Sequence, residues 1–200
     1  MHSKEFIFTT TNQMNEDALF LNQIPFLTQE AKADLNGVIK TLSAKKGDIL
    51  LDNGRVCRHL YFIHQGLCKT FFFKADKEFI MRFFSEGSIF TVLDSFVTQT
   101  PSTYSISVLE PTTYTRLSFD DLQMLCQKHH CVETFFRKLV SNGAINMMKR
   151  ISELLEDNAS ERYADFIKDQ SFLMQRISLG DLASYLGITQ VSLSRIRAVK

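Results

Sequence analysis

The sequence has no tryptophan, no apolar run that approaches the length needed to span a bilayer, and almost no net charge. Its 200 residues carry a formal charge of +1, so the overall charge does not by itself indicate a polyanionic partner. Four cysteines (Cys57, Cys68, Cys126 and Cys131) lack the spacing of a small disulfide-linked domain, and the N-terminus lacks the apolar core of a signal peptide. We therefore expect a cytoplasmic protein with free thiols and no membrane contact.

Aromatic residues are abundant although tryptophan is absent. The 18 phenylalanines lie mostly in the first two thirds of the chain, which is typical of a packed globular protein. After Lys45, short apolar runs such as Leu60-Tyr61-Phe62-Ile63 alternate with turn sequences such as Lys46-Gly47-Asp48 and Glu86-Gly87-Ser88. This alternation predicts an antiparallel sandwich or jelly roll, in which the phenylalanines pack the core rather than stack on nucleic acid.

A long helix without proline is predicted over residues 131–157. Its apolar positions are spaced like the seam of a coiled coil, and this pattern allows two arrangements. The seam packs on the chain's own sandwich, or it pairs with a second copy of the chain. We favour self-association because a helix of this length extends beyond a domain of that size. The predicted seam consists of Phe136, Val140, Gly143, Met147, Ile151 and Leu154.

The last part of the chain has the pattern of a helix-turn-helix between Leu179 and Ala198. Ala183 is small where two helices cross, Gly187 can adopt the left-handed conformation that ends the first helix, and Thr189 can cap the second. Together, the strand-and-turn pattern, the long helix and the helix-turn-helix divide the chain into four parts. These are a lead-in (1–22), a β-roll (23–130), a dimerisation helix (131–157) and a DNA-binding domain (158–200).

The second helix leaves a polar face free to meet double-stranded DNA. Arg195 can pair with guanine in a bidentate manner, Gln190 can pair with adenine, and Val191 can touch a thymine methyl. An ordinary helical hairpin is the alternative. The predicted DNA-binding residues are Ser178, Thr189, Gln190, Val191, Ser192, Ser194, Arg195, Arg197 and Lys200.

This order of parts resembles the Crp/Fnr family of bacterial regulators, particularly its short Bacteroidetes-type members. The resemblance rests on Lys46-Gly47-Asp48-Ile49-Leu50, on Leu60 to Gly66, on Glu86-Gly87-Ser88-Ile89-Phe90, and on Ala183 to Arg197. It implies an α+β fold with an N-terminal β-roll (jelly roll), a long dimerisation helix and a C-terminal helix-turn-helix. It also implies a homodimer, an effector-sensing roll, operators of two-fold symmetry and contact with RNA polymerase. The family's β-wing is expected to be absent, because the sequence stops at Lys200.

The chain departs from the cyclic-AMP-binding members of that family. There a Gly-Glu pair holds the ribose and an Arg-Ser pair holds the cyclic phosphate, whereas the matching positions here are Thr91-Val92 and Ser102-Thr103. Two helix positions that face the nucleotide correspond to Met147 and Met148. An effector pocket at these residues would lack the charged hydrogen bonds, so we expect no cyclic nucleotide to bind. We assign no cofactor, and the sequence leaves open whether the roll binds haem or a small apolar effector.

Other groups of reactive side chains are weaker candidates. Cys126, His129 and His130 would share one face of a continuous helix with Cys131 off it, so we assign no metal. His59 and His64 should point to opposite faces of a strand, which argues against a metal enzyme of the jelly-roll type. Catalytic groupings are not identifiable, so we expect a regulator and not an enzyme. The alternative function is a sensor or interaction module without specific DNA binding.

Overall fold

The computed structural model describes Leu21 and residues 24–198. The lead-in apart from Leu21, and also Lys200, therefore lie outside the described residues. Leu21, Ile24 and Leu27 are at least 94% buried in the core of the first domain. Among the described residues no helix is both long enough and apolar enough to cross a membrane.

Two four-stranded antiparallel sheets form the β-roll, as the alternation of strands and turns predicts. One sheet has the order β1-β8-β3-β6 and the other β2-β7-β4-β5. The strands are β1 (Lys40–Ala44), β2 (Ile49–Leu51), β3 (His59–Gln65), β4 (Cys68–Lys74), β5 (Lys77–Phe84), β6 (Ile89–Phe90), β7 (Ser105–Val108) and β8 (Thr112–Ser118).

Phenylalanines from strands and from flanking helices pack in the core of the roll, which confirms their predicted packing role. Phe84 and Phe90 stack with ring centroids 4.0 Å apart, and Phe96 meets Phe119 edge-on at 5.3 Å. His59 lies beside Tyr61 and His64 beside Phe62, so the two histidines alternate across β3 as expected.

Helices flank the roll and form the C-terminal third of the chain. They are α1 (Gln29–Val38), α2 (Leu93–Thr98), α3 (Phe119–Lys128), α4 (His130–Glu156), α5 (Ala159–Gln170), α6 (Leu179–Leu186) and α7 (Gln190–Ala198), with a 3₁₀ turn at Ser171–Leu173. Thr28 caps α1 and Ser118 caps α3 through side-chain oxygens that accept backbone N–H groups.

The continuous helix that would place Cys126, His129 and His130 on one face is not present. Helix α3 ends at Lys128, and His129 has extended backbone angles (φ −129°, ψ 107°) before α4 begins at His130. The imidazole of His129 is buried against Asp34 of α1, at 2.6 Å from its carboxylate. This tertiary contact accompanies a helix break where neither proline nor glycine occurs.

A second hydrophobic core joins the roll to the C-terminal helices. Phe71, Ile80 and Phe83 of β4 and β5 lie in one buried cluster with residues of α5, α6 and α7. The ring of Tyr185 on α6 is 5.4 Å from both Phe83 of β5 and Phe166 of α5. The outer face of this sheet is thus covered by the chain's own helices.

Candidate nucleic-acid interface

Helices α6 and α7 form a bihelical unit whose ends are fixed by local interactions. The hydroxyl of Ser178 accepts the N–H of Asp181 at 3.0 Å, and the Asp181 carboxylate accepts the N–H of Ser178 in return. Gly187 ends α6 in the left-handed region at φ 72°, a conformation that costs glycine little. The N–H of Ser192 donates to the Thr189 hydroxyl at 3.1 Å, so Thr189 caps α7 as predicted.

The inner faces of the two helices pack against each other as predicted. Leu182, Leu186 and Leu193 are at most 1% exposed, whereas Ile188 and Ile196 are half-buried. Ala183, 2% exposed, is the small residue in this core.

The outer face of α7 is open to solvent. Most of the predicted contact residues are exposed, and only Ser192, whose hydroxyl is 3.0 Å from that of Thr189, is half-buried. The structure thus brings the predicted DNA-binding residues onto one surface, except Lys200. The exposed members are Ser178, Thr189, Gln190, Val191, Ser194, Arg195 and Arg197.

A cleft of about 380 Å³ runs between this unit and strand β5. Lys77 and Glu78 line its β-roll side, while the starts of α6 and α7 line the other. The Gln190 side chain lies across Gly180, where an added Cβ would come 2.8 Å from the amide nitrogen. The close approach at Gly180 is a feature that the sequence reasoning missed.

Charged groups hold the bihelical unit against the roll. The ammonium of Lys69 on β4 lies 2.8 Å from both Glu78 and Asp181. Burial raises the pKa of Asp181, but hydrogen bonds from Lys69 and Ser178 outweigh it and lower the pKa overall. Asp181 is therefore ionised at neutral pH and pairs with Lys69. Sequence reasoning missed this pair because 112 residues separate its members.

Helix α4 exposes much of the predicted seam. Met147, Ile151 and Leu154 have 51%, 52% and 46% of their surface exposed. Val140 and Gly143 are half-buried. Phe136 instead packs against the roll, with its ring 6.1 Å from that of Phe96. The first seam position thus serves packing within the chain, which corrects its assignment to self-association alone.

The cysteine and histidine cluster disperses at the helix break. The His130 side chain is 90% exposed, and burial raises the pKa of the Cys126 thiol to about 11. Glu30, Asp34 and His129 place ligand atoms within 4.8 Å of one another. The ammonium of Lys128, however, already lies 2.6 Å from Asp34, so a lysine supplies the positive charge there.

Comparison with known proteins shows what this chain is similar to. Residues 41–129 match the cyclic nucleotide-binding domain. The chain is 27% identical over 186 residues to the anaerobic regulatory protein of Pasteurella multocida, covering 86% of this chain and 68% of that protein. A solved Eubacterium rectale protein, described as a transcriptional regulator of the Crp/Fnr family, aligns with a TM-score of 0.73 and 15% identity over 90% of this chain and 87% of its own. FixK2 of Bradyrhizobium japonicum aligns with a TM-score of 0.72 and 16% identity, over 80% of this chain and 83% of its own. Residues 41–129 thus resemble a cyclic nucleotide-binding domain, and the chain shares its fold with a regulator of the Crp/Fnr family.

The positions that the sequence analysis matched to nucleotide contacts make other bonds in this chain. The buried Ser102 hydroxyl accepts the N–H of Tyr104 at 2.9 Å and donates to its carbonyl at 2.8 Å. The Thr91 hydroxyl donates to the carbonyl of His59 at 2.9 Å. Val92 is 6% exposed and apolar, and Thr103 is exposed.

The predicted effector pocket does not close within a single chain. Met147 and Met148 have 51% and 69% of their surface exposed, so they do not line an enclosed pocket with the roll residues. A void beside Tyr61 and Ile89 measures about 10 Å³, which is room for one water molecule at most.

Proposed function

We propose that this protein is a homodimeric transcription regulator that inserts α7 into the major groove of DNA. The observation that carries the proposal is the solvent-exposed face of α7 on a bihelical unit with capped ends. Arg195 offers two parallel N–H donors for the N7 and O6 acceptors of guanine, and Gln190 offers the donor and acceptor that adenine requires. The N-terminal turns of α6 and α7 supply N–H groups and hydroxyls suited to phosphates.

The homodimer is proposed to form along α4. The exposed Met147, Ile151 and Leu154 lie three or four residues apart, so they form one apolar stripe on the helix. A second copy of the stripe is its natural complement, because two-fold pairing buries the same surface on both subunits. Two bihelical units related by this axis would meet half-sites about 34 Å apart, one turn of B-DNA.

The roll is proposed to sense a signal other than a cyclic nucleotide. The hydroxyls of Ser102 and Thr91 are bonded to the roll's own backbone, and Val92 and Ser102 carry no charge of their own. Control of transcription by such a dimer requires that it contact RNA polymerase or obstruct it.

The test is selection of bound sequences from random double-stranded DNA by the full chain. The wild type should enrich a motif of two-fold symmetry. Arg195→Ala should weaken binding to that motif by about 1–3 kcal/mol and relax the preference at one base pair. Arg55→Ala removes an exposed arginine from the roll and should bind like the wild type.

Absence of any symmetric motif would favour the alternative of a sensor module without specific DNA binding. An Arg195→Ala protein that selects the same motif with the same affinity would also contradict the assigned role of α7.

A further inference from the structure

One arginine connects the DNA-binding unit to three turns of the roll. Arg176 lies in the segment between the 3₁₀ turn and α6, two residues before the cap Ser178. Its Nη1 and Nη2 atoms donate to the two oxygens of Glu86 at 2.9 and 2.8 Å, in the turn between β5 and β6. It also pairs with Glu110 between β7 and β8, and Nη2 donates to the carbonyl of Gly66 at 3.1 Å.

The three turns that Arg176 contacts form a rigid end of the roll. Glu86 also accepts the N–H of Gly66 at 2.8 Å, which links two of the turns directly. An added Cβ at Gly66 would come 2.2 Å from the hydroxyl oxygen of Thr112, so this turn is packed tightly onto the start of β8. Arg176 therefore binds a surface that has little freedom to move.

The chemistry of the guanidinium makes this contact directional. It is planar, and a bidentate bond to a carboxylate fixes its orientation as well as its distance. The shared hydrophobic core around Phe83 and Tyr185 has no comparable direction, because apolar burial tolerates sliding and rotation. The Lys69 ammonium is a point charge and likewise restrains distance more than angle.

We infer that Arg176 is a positioning residue that sets the orientation of α6 and α7 relative to the roll, and thereby the half-site spacing that the dimer accepts. The inference rests on the proposed function, because spacing is defined only for a dimer that binds two half-sites. Arg176 acts here through Glu86 and Glu110, not through contact with DNA.

The test compares Arg176→Lys with the double variant Glu86→Gln/Glu110→Gln, which keeps the arginine and removes both charged partners. Arg55→Lys is the matched control, since it makes the same exchange at an exposed site on the roll. Each protein is titrated against palindromic sites whose half-site spacing is varied one base pair at a time, and against a single half-site. Thermal melting verifies that each variant is folded.

The wild type and the control should prefer one narrow spacing. Both test variants should accept several spacings, with affinity for the best palindrome reduced roughly tenfold, because two correctly oriented units no longer engage together at full effective concentration. Their half-site affinity should stay within about twofold of the wild type.

A spacing profile that is unchanged in folded Arg176→Lys overturns the inference and leaves the proposed function intact. Equal losses for half-sites and palindromes in Arg176→Lys alone would make Arg176 a DNA contact instead. A wild type that binds no symmetric site overturns the proposed function, and with it the inference.

Discussion

Replacing Met147 and Ile151 together by glutamate should convert the dimer to monomers. These side chains are 51% and 52% exposed in the single chain, so about half of their surface remains to be buried by a partner. Full burial of such a side chain stabilises by roughly 1.5–3 kcal/mol, which leaves about 1 kcal/mol for each at the interface. Four side chains in a dimer then supply about 4 kcal/mol, and their loss raises the dissociation constant about a thousandfold. Repulsion among the new carboxylates adds to this loss.

Sedimentation at low micromolar concentration measures the outcome directly. Glutamate is a good helix former and both sites are exposed, so the variant should fold. Ile145→Glu is the matched control because Ile145 is 62% exposed and two residues from Met147, a rotation of about 200° around the helix. It should leave the dimer intact. A dimeric double variant, or a monomeric Ile145→Glu, would refute the assignment of this face.

Three further predictions concern the ion pair between Arg176 and Glu86, the glycine that ends α6, and nucleotide binding by the roll. Arg176 lowers the pKa of Glu86 from 4.5 to about 2. The ion pair therefore stabilises the fold fully above the pKa that Glu86 has in the unfolded chain, and this stabilisation is lost as the pH falls towards 2. Glu86→Gln should therefore be less stable than the wild type at neutral pH. Chemical denaturation should show that the difference in free energy of unfolding between the two proteins shrinks as the pH decreases. A difference that stays constant would contradict this. Gly187→Ala, at φ 72° with open space around it, should lower stability by about 1 kcal/mol in thermal melting, whereas Gly37→Ala within α1 should not. Calorimetric titration with cyclic AMP or cyclic GMP should give no binding at micromolar concentration, and measurable micromolar affinity would show that the roll replaces the charged contacts in some other way.

The bihelical unit could be predicted from sequence because its determinants are local. The cap at Thr189 and a left-handed Gly187 act over three or four residues, which is the range that a sequence pattern reports. The strands were likewise predictable from apolar runs between turn residues, and α4 from its uninterrupted helical spacing.

Contacts between distant segments could not be predicted in this way. Arg176 lies 90 residues from Glu86 and 66 from Glu110, and no pattern in one sequence connects them. The contact that accompanies the break at His129 is equally distant, since Asp34, which holds the imidazole, lies 95 positions earlier. In both cases the packing of whole elements decides the outcome over local propensity.

The hydrophobic core shared by the roll and the C-terminal helices limits how far this protein can be treated as modular. A fragment starting at residue 158 would leave Tyr185 and Leu182, now 8% and 1% exposed, without the strands β4 and β5 that cover them. Such a fragment would lose much of its apolar burial and its three ionic contacts to the roll, with Lys69, Glu86 and Glu110. A functional chimera would therefore have to exchange the bihelical unit together with the matching surface of the roll, and the two would have to evolve in step.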